Sequence, residues 1–197
     1  MHFENFYCVS WYCSYLIRVN FCNLAQSSSL IKVILDEPKN PVQIHSDLLD
    51  QVVKEARASE RRRMNFNFHQ LEDPANRMLN AIEPESYIRP HRHLEPPRDE
   101  AFFVLRGQGV VVLFKDDGSV EHVCRLDLET EHFGTDIPAG WYHTIVSLQS
   151  GSVFYEVKAG PYEPAKAKEF ASWAPGDNTP EAAVYLEQLK KIISEFD

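Results

Sequence analysis

Four side chains in the middle of this chain have the types and spacing of a metal-binding set. His91 and His93 flank Arg92, and residues two apart on a strand point to the same side, so the two imidazoles present together. Six residues intervene before Glu100, across a stretch containing Pro96 and Pro97, and Gly107 lies seven residues further on. A second stretch, Pro138-Ala139-Gly140-Trp141-Tyr142-His143, reads as a tight turn that delivers His143 at the start of a strand. Three neutral imidazoles and a carboxylate suit one divalent transition metal ion per chain (Fe, Zn, Mn or Ni) and leave positions for water or substrate. Glu95, two residues past His93, is the alternative carboxylate. His2, His45, His122 and His132 have no company that suggests ligation.

Other polar residues are candidate substrate contacts. Met64 to His69 alternates strictly, with Asn65, Asn67 and His69 on one face and Met64, Phe66 and Phe68 on the other. Alternation does not say which face is inside, so the polar face either meets solvent or points into a cavity. Arg77, Tyr87 and Arg89 are similar cases, and Arg89 shares strand parity with His91 and His93. Trp141 and Tyr142 either wall the site beside His143 or simply pack. Glu156 and Lys158 share a strand face and read as a cross-strand ion pair.

The elements that must position these residues are mainly β. Candidate strands run over residues 64–69, 79–82, 87–93, 101–105, 110–114, 120–126, 143–148 and 153–158, separated by turn signals such as Arg106-Gly107 and Asp116-Asp117-Gly118. Many short strands at near-regular spacing predict a sandwich or barrel, with its core over about residues 64–158. A helix is predicted from an N-cap at Ser46 to near Arg61, carrying Leu48, Leu49, Val52, Val53 and Ala56 at helical spacing. A second opens with Thr179 as N-cap and Pro180 at the first helical position and closes near Glu195.

Composition bounds the function classes. The 197 residues suffice for one domain, with 44% hydrophobic and 25% charged residues. The formal net charge is −9 and Arg61-Arg62-Arg63 is the one basic cluster, so nucleic acid is not an expected partner. Residues 1–30 form an atypical extension before the single domain of residues 31–197. The extension is rich in Tyr, Phe, Trp and Cys, as in Tyr7 to Trp11, and reads either as strand or as sequence upstream of the true start. Neither of its uncharged stretches is long or apolar enough to span a bilayer, and no Lys or Arg near Met1 suggests a secretory leader. Ile31 to Leu35 reads as a short strand ended by Pro38. Cys8, Cys13, Cys22 and Cys124 form no metal or disulfide pattern and read as reduced thiols of a cytoplasmic protein. Unpaired sheet edges and the apolar extension lead to the expectation of a homodimer.

The two motifs together, HxH with a following Glu and Gly, then PxGxxH, resemble those of the cupins. The interval from His93 to Glu100 is longer than usual, Gly134 lies closer to Pro138, and Ser147 stands where Asn often ends the second motif. A narrower resemblance, to the WbuC group of cupin-fold metalloproteins, runs through Arg61 to His69, Arg77 to Asn80, Arg89 to His93, Phe154 to Lys158, Gly160 to Tyr162 and Phe170 to Pro175. It covers roughly residues 42–190. The resemblance implies a cupin double-stranded β-helix, a jelly-roll barrel with an N-terminal and a C-terminal helix. It also implies a setting in bacterial surface-polysaccharide metabolism, with a small polar metabolite such as a sugar or nucleotide-sugar as ligand. Isomerase or epimerase chemistry, dioxygenase chemistry, and a non-catalytic metal-dependent binding module all stay open at this stage.

Overall fold

The computed structural model describes residues 40–164 and 168–196. The extension of residues 1–30, the strands expected at Tyr7 to Trp11 and Ile31 to Leu35, and Cys8, Cys13 and Cys22 lie outside the described residues. Cys124 is a free thiol. No helix among the described residues is long and apolar enough to cross a membrane.

Helix α1 spans Ser46–Ala58 and buries Leu49, Val52, Val53 and Ala56. Their i, i+3, i+4, i+7 spacing makes one apolar stripe. His45 rather than Ser46 is its N-cap, and the helix stops short of Arg61 because Ser59 turns extended, with ψ 139°. Helix α2 spans Pro180–Glu195 behind an N-cap at Thr179 and buries Ala182, Leu186, Leu189 and Ile193.

Ten strands follow α1: β1 Arg63–Asn67, β2 Ala75–Ile82, β3 His91–Arg92, β4 Glu100–Arg106, β5 Gln108–Phe114, β6 Val120–Asp127, β7 Gly134–Ile137, β8 Tyr142–Ser147, β9 Ser152–Ala159 and β10 Glu169–Phe170. They form two five-stranded sheets of order β1-β2-β9-β4-β7 and β10-β3-β8-β5-β6, with every recorded pairing antiparallel. Without the added outer strands β1 and β10, the eight consecutive strands β2 to β9 fall into the orders 2-9-4-7 and 3-8-5-6. That interleaving is the jelly roll. The fold is therefore mainly β with two flanking helices, as the strand pattern and turn signals lead one to expect.

The differences are local. Strand β2 begins at Ala75, before the expected Leu79, and β3 shrinks to two residues because Pro90 interrupts the segment from Tyr87. Strands β7 and β10 carry little strand signal: Gly134 and Asp136 are poor strand formers, and Glu169 and Phe170 are both exposed. At Gly107, φ is +74° and an added Cβ would lie 2.3 Å from Ser152 Oγ and 2.9 Å from its Cα, so the β4–β5 turn requires glycine.

Three apolar clusters hold these layers. Helix α1 covers the outer face of the first sheet through Leu79, Ala81 and Val153. Helix α2 covers the outer face of the second through Val110, Val112, Phe114 and Val146. Between the sheets, Phe102, Val104, Val111, Leu113, Ile145 and Phe154 pack together. The run Val110 to Phe114 is apolar at every position because its strand is buried on both sides. The rest of the space between the sheets is polar.

Candidate metal centre

His91 in β3 and His143 in β8 are register partners on neighbouring strands of the second sheet. Glu100 opens β4 in the first sheet, so the cluster bridges the two sheets. Imidazole centroids lie 4.6 Å apart for His91 and His143, 5.3 Å for His91 and His93, and 5.5 Å for His93 and His143. One ligand atom from each of His91, His93, Glu100 and His143 lies within 4.8 Å of the others, and all four residues are buried. Glu95, the alternative carboxylate, is exposed. The long interval between His93 and Glu100 folds into a compact turn closed by a bridge between Leu94 and Pro97. The turn that delivers His143 is tied to this one: the Ala139 N–H donates to Asp99 Oδ1 at 2.9 Å, and Gly140 takes φ +95°. Asp99 carried no signal in the sequence, because its partner lies in a distant loop.

Nδ1 of His91 lies 3.0 Å from the Arg89 carbonyl oxygen, and Nδ1 of His143 lies 3.0 Å from that of Trp141. A carbonyl only accepts, so each Nδ1 carries the proton and each Nε2 keeps its lone pair for the interior. Burial, with Lys168 and His143 next in weight, holds the His91 imidazole well below its ordinary pKa and hence neutral. Burial alone would raise the Glu100 carboxyl, but the Lys158 ammonium holds it well below the usual carboxylate range. His143 Nε2 and Glu100 Oε2 face each other at 2.9 Å, and His93 Nε2 lies 3.4 Å from the same oxygen. The first two are lone-pair atoms, buried and without a hydrogen bond among the described residues. Acceptors converging in this way suit a cation between them, and the nitrogen-rich set with one oxygen fits a divalent transition metal.

Behind the carboxylate stands a buried chain of polar groups. Lys158, the register partner of Glu100, donates to Glu100 Oε1 at 3.2 Å and to Glu156 Oε1 at 2.5 Å. Asn80 donates to Glu156 Oε2 at 2.5 Å. The Glu156–Lys158 pair thus runs along β9, and the partner across strands is Glu100. Burial favours the neutral form of Lys158, but the two carboxylates outweigh it and raise the ammonium above its ordinary pKa. Burial and the neighbouring Glu100 push Glu156 up to about 7, against the pull of Lys158.

A cavity of about 500 Å³ adjoins the cluster, with five cationic side chains and three carboxylates on its wall. Asn65, Asn67, His69 and Arg89 line it, together with Asn76, Lys168 and others that the sequence did not single out. The polar face of β1 therefore lines the open side of this cavity, with His69 buried and Asn65 and Asn67 exposed, because the other face packs toward α1 through Phe66 and Phe68. Three candidates fall elsewhere. Arg77 has the outward parity of Leu79 and Ala81 and sits exposed, 4.0 Å from Asp73. Tyr87 donates its hydroxyl to the Pro175 carbonyl at 2.9 Å and packs edge-on to Tyr185. Trp141 packs on the apolar cluster between the sheets, with its ring centroid 5.7 Å from that of His122.

A family described as "Domain of unknown function (DUF6016)" matches residues 44–126, less than half of the chain. No curated protein matches it. Among solved structures, the chain is similar to the capsular polysaccharide assembling protein CapF from Staphylococcus aureus, at 17% identity and a TM-score of 0.43, over 54% of this chain and 31% of that one. It thus spans about a third of the CapF chain. It is also similar to KdgF from Halomonas sp., at 17% identity and a TM-score of 0.40, over 52% of this chain and 82% of that one. For a single-substitution variant of the oxalate decarboxylase of Bacillus subtilis the values are 16% and 0.43, over 68% of this chain and 35% of that one. The jelly roll follows from the strand order alone.

Proposed function

We propose that this protein is a metal-dependent cupin of WbuC type that binds a small anionic, oxygen-rich metabolite at His91, His93, Glu100 and His143. The observation that carries this reading is the buried convergence of three imidazoles and one carboxylate within 4.8 Å at the edge of a polar cavity. A bound divalent ion would supply Lewis acidity toward a substrate oxygen or an activated water. The chain's own residues do the rest. The Arg89 and Trp141 carbonyls hold His91 and His143 in the tautomer that aims Nε2 inward. Lys158 keeps Glu100 ionised and engages one of its oxygens, leaving Oε2 toward the imidazoles. Arg89 is pinned by donation to the Ala171 carbonyl at 2.6 Å and by Phe170 beneath its guanidinium, while its buried Nε has no partner among the described residues. A fixed guanidinium of this kind orients a carboxylate or phosphate at the cavity wall.

The ligand class is a sugar acid, sugar phosphate or nucleotide-sugar, and the reaction class is isomerisation or epimerisation of such a compound. Elemental analysis of protein purified without chelator is the test: one transition metal ion per chain supports the reading, and its absence from wild type refutes it. Iron would favour oxygenase chemistry, and zinc would oppose it. Turnover of a bound acid separates an enzyme from a non-catalytic binding module.

A further inference from the structure

Asn76 is fully buried, and both polar atoms of its side chain, Oδ1 and Nδ2, lack a hydrogen-bond partner among the described residues. It lies on β2 with the inward parity of Met78 and Asn80, is the register partner of Lys158, and lines the cavity. A buried amide without partners costs free energy that an apolar residue of similar size would not. Such a group persists where a ligand supplies what the protein does not.

The chemistry of that ligand follows from the two atoms. Nδ2 needs an acceptor and Oδ1 needs a donor. A carboxylate or phosphate serves only Nδ2, and a hydrocarbon serves neither. A hydroxyl serves both. The neighbouring wall is also polar: the exposed Asn65 and Asn67 line the same cavity from β1, and the Asn65 amide donates to the Met78 sulfur at 3.3 Å. We infer that Asn76 reads the hydroxyls of a polyhydroxylated ligand whose anionic end lies at the metal centre, making it the residue that separates polyhydroxy acids from simple ones. The inference rests on the metal-dependent reading above and adds the specificity of its ligand.

The probes are gluconate and 2-hydroxyhexanoate, which share a six-carbon chain and an α-hydroxy-carboxylate head and differ in the remaining hydroxyls. Titration calorimetry on the full-length, metal-loaded protein should show gluconate binding about tenfold more tightly or better. In Asn76→Val, gluconate should fall to the affinity of 2-hydroxyhexanoate, which itself stays unchanged, while Asn76→Ser keeps part of the preference. Metal content should be unaltered, and the ligand-free Asn76→Val protein should melt at the same temperature or higher, because an unsatisfied amide is gone. Equal affinities in wild type overturn the inference and leave the metal-dependent reading standing. A preference that survives in Asn76→Val also overturns it, and a lowered melting temperature beside that surviving preference would mark the amide as structural. If neither acid binds to metal-loaded protein, both readings fall.

Discussion

The space between the two sheets has an apolar half and a polar half, and the same strands build both. Along β4 the inward row runs Glu100, Phe102, Val104; along β9 it runs Lys158, Glu156, Phe154; along β8 it begins with His143 and continues to Ile145. In each strand one step of the pleat separates a charged or ligating side chain from a fully apolar one. The apolar half needs no partner beyond its own packing, whereas the charges of the polar half, Glu100, Glu156 and Lys158, are held by one another. The first half supplies the rigidity and the second gives up stability for chemistry, because buried charges are tolerated only when paired.

Breaking the apolar half should have the largest effect. Phe154 is fully buried at the centre of that packing, and Phe154→Ala should cost about 3–5 kcal/mol, read by urea unfolding. Metal retention should fall with it, since β9 positions Lys158 two steps away. If stability holds, the two halves are less coupled than the shared strands imply.

Next comes the charge behind the centre. Lys158→Met removes the cation between Glu100 and Glu156 and leaves two buried carboxylates facing each other. The metal-free protein should lose roughly 3 kcal/mol. Adding Glu156→Gln in the same chain should recover part of that loss, which a double-mutant cycle would measure.

The centre itself should respond in binding more than in folding. His93→Ala leaves two imidazoles and a carboxylate and should weaken metal retention on the order of a hundredfold or more. Equilibrium dialysis against zinc or manganese reads the loss, and the stabilisation that metal adds to wild type should vanish in the melting curve. Full metal content in folded His93→Ala would overturn the ligand set.

The smallest effect is a slope. Glu156 is pushed from 4.5 up to about 7, so the folded, metal-free chain holds that proton more tightly than the unfolded one. Its contribution to stability is therefore fully present below pH 4.5 and lost as pH rises through about 7. Glu156→Gln should flatten this component of the stability–pH curve in that window. An unchanged slope would mean that Lys158 keeps Glu156 ionised throughout.

How much of this was legible in the sequence depends on the range of the interaction. Helix α2 follows its Thr179-Pro180 start signal, and the strand run Val110 to Phe114 is plain from its apolar residues and flanking turns, because capping, propensity and pleat parity are local. His91, His93 and His143 were legible for the same reason: one pleat repeat and one Pro-Gly turn define them. Tertiary structure alone decided which face of β1 packs and which lines the open cavity, since a period of two is symmetric until a helix covers one side. It also separated buried Glu100 from exposed Glu95, placed Arg77, Tyr87 and Trp141 away from the cavity, and set Lys158 opposite Glu100. Those outcomes depend on register between strands far apart in the chain, and no local pattern of residues carries that information.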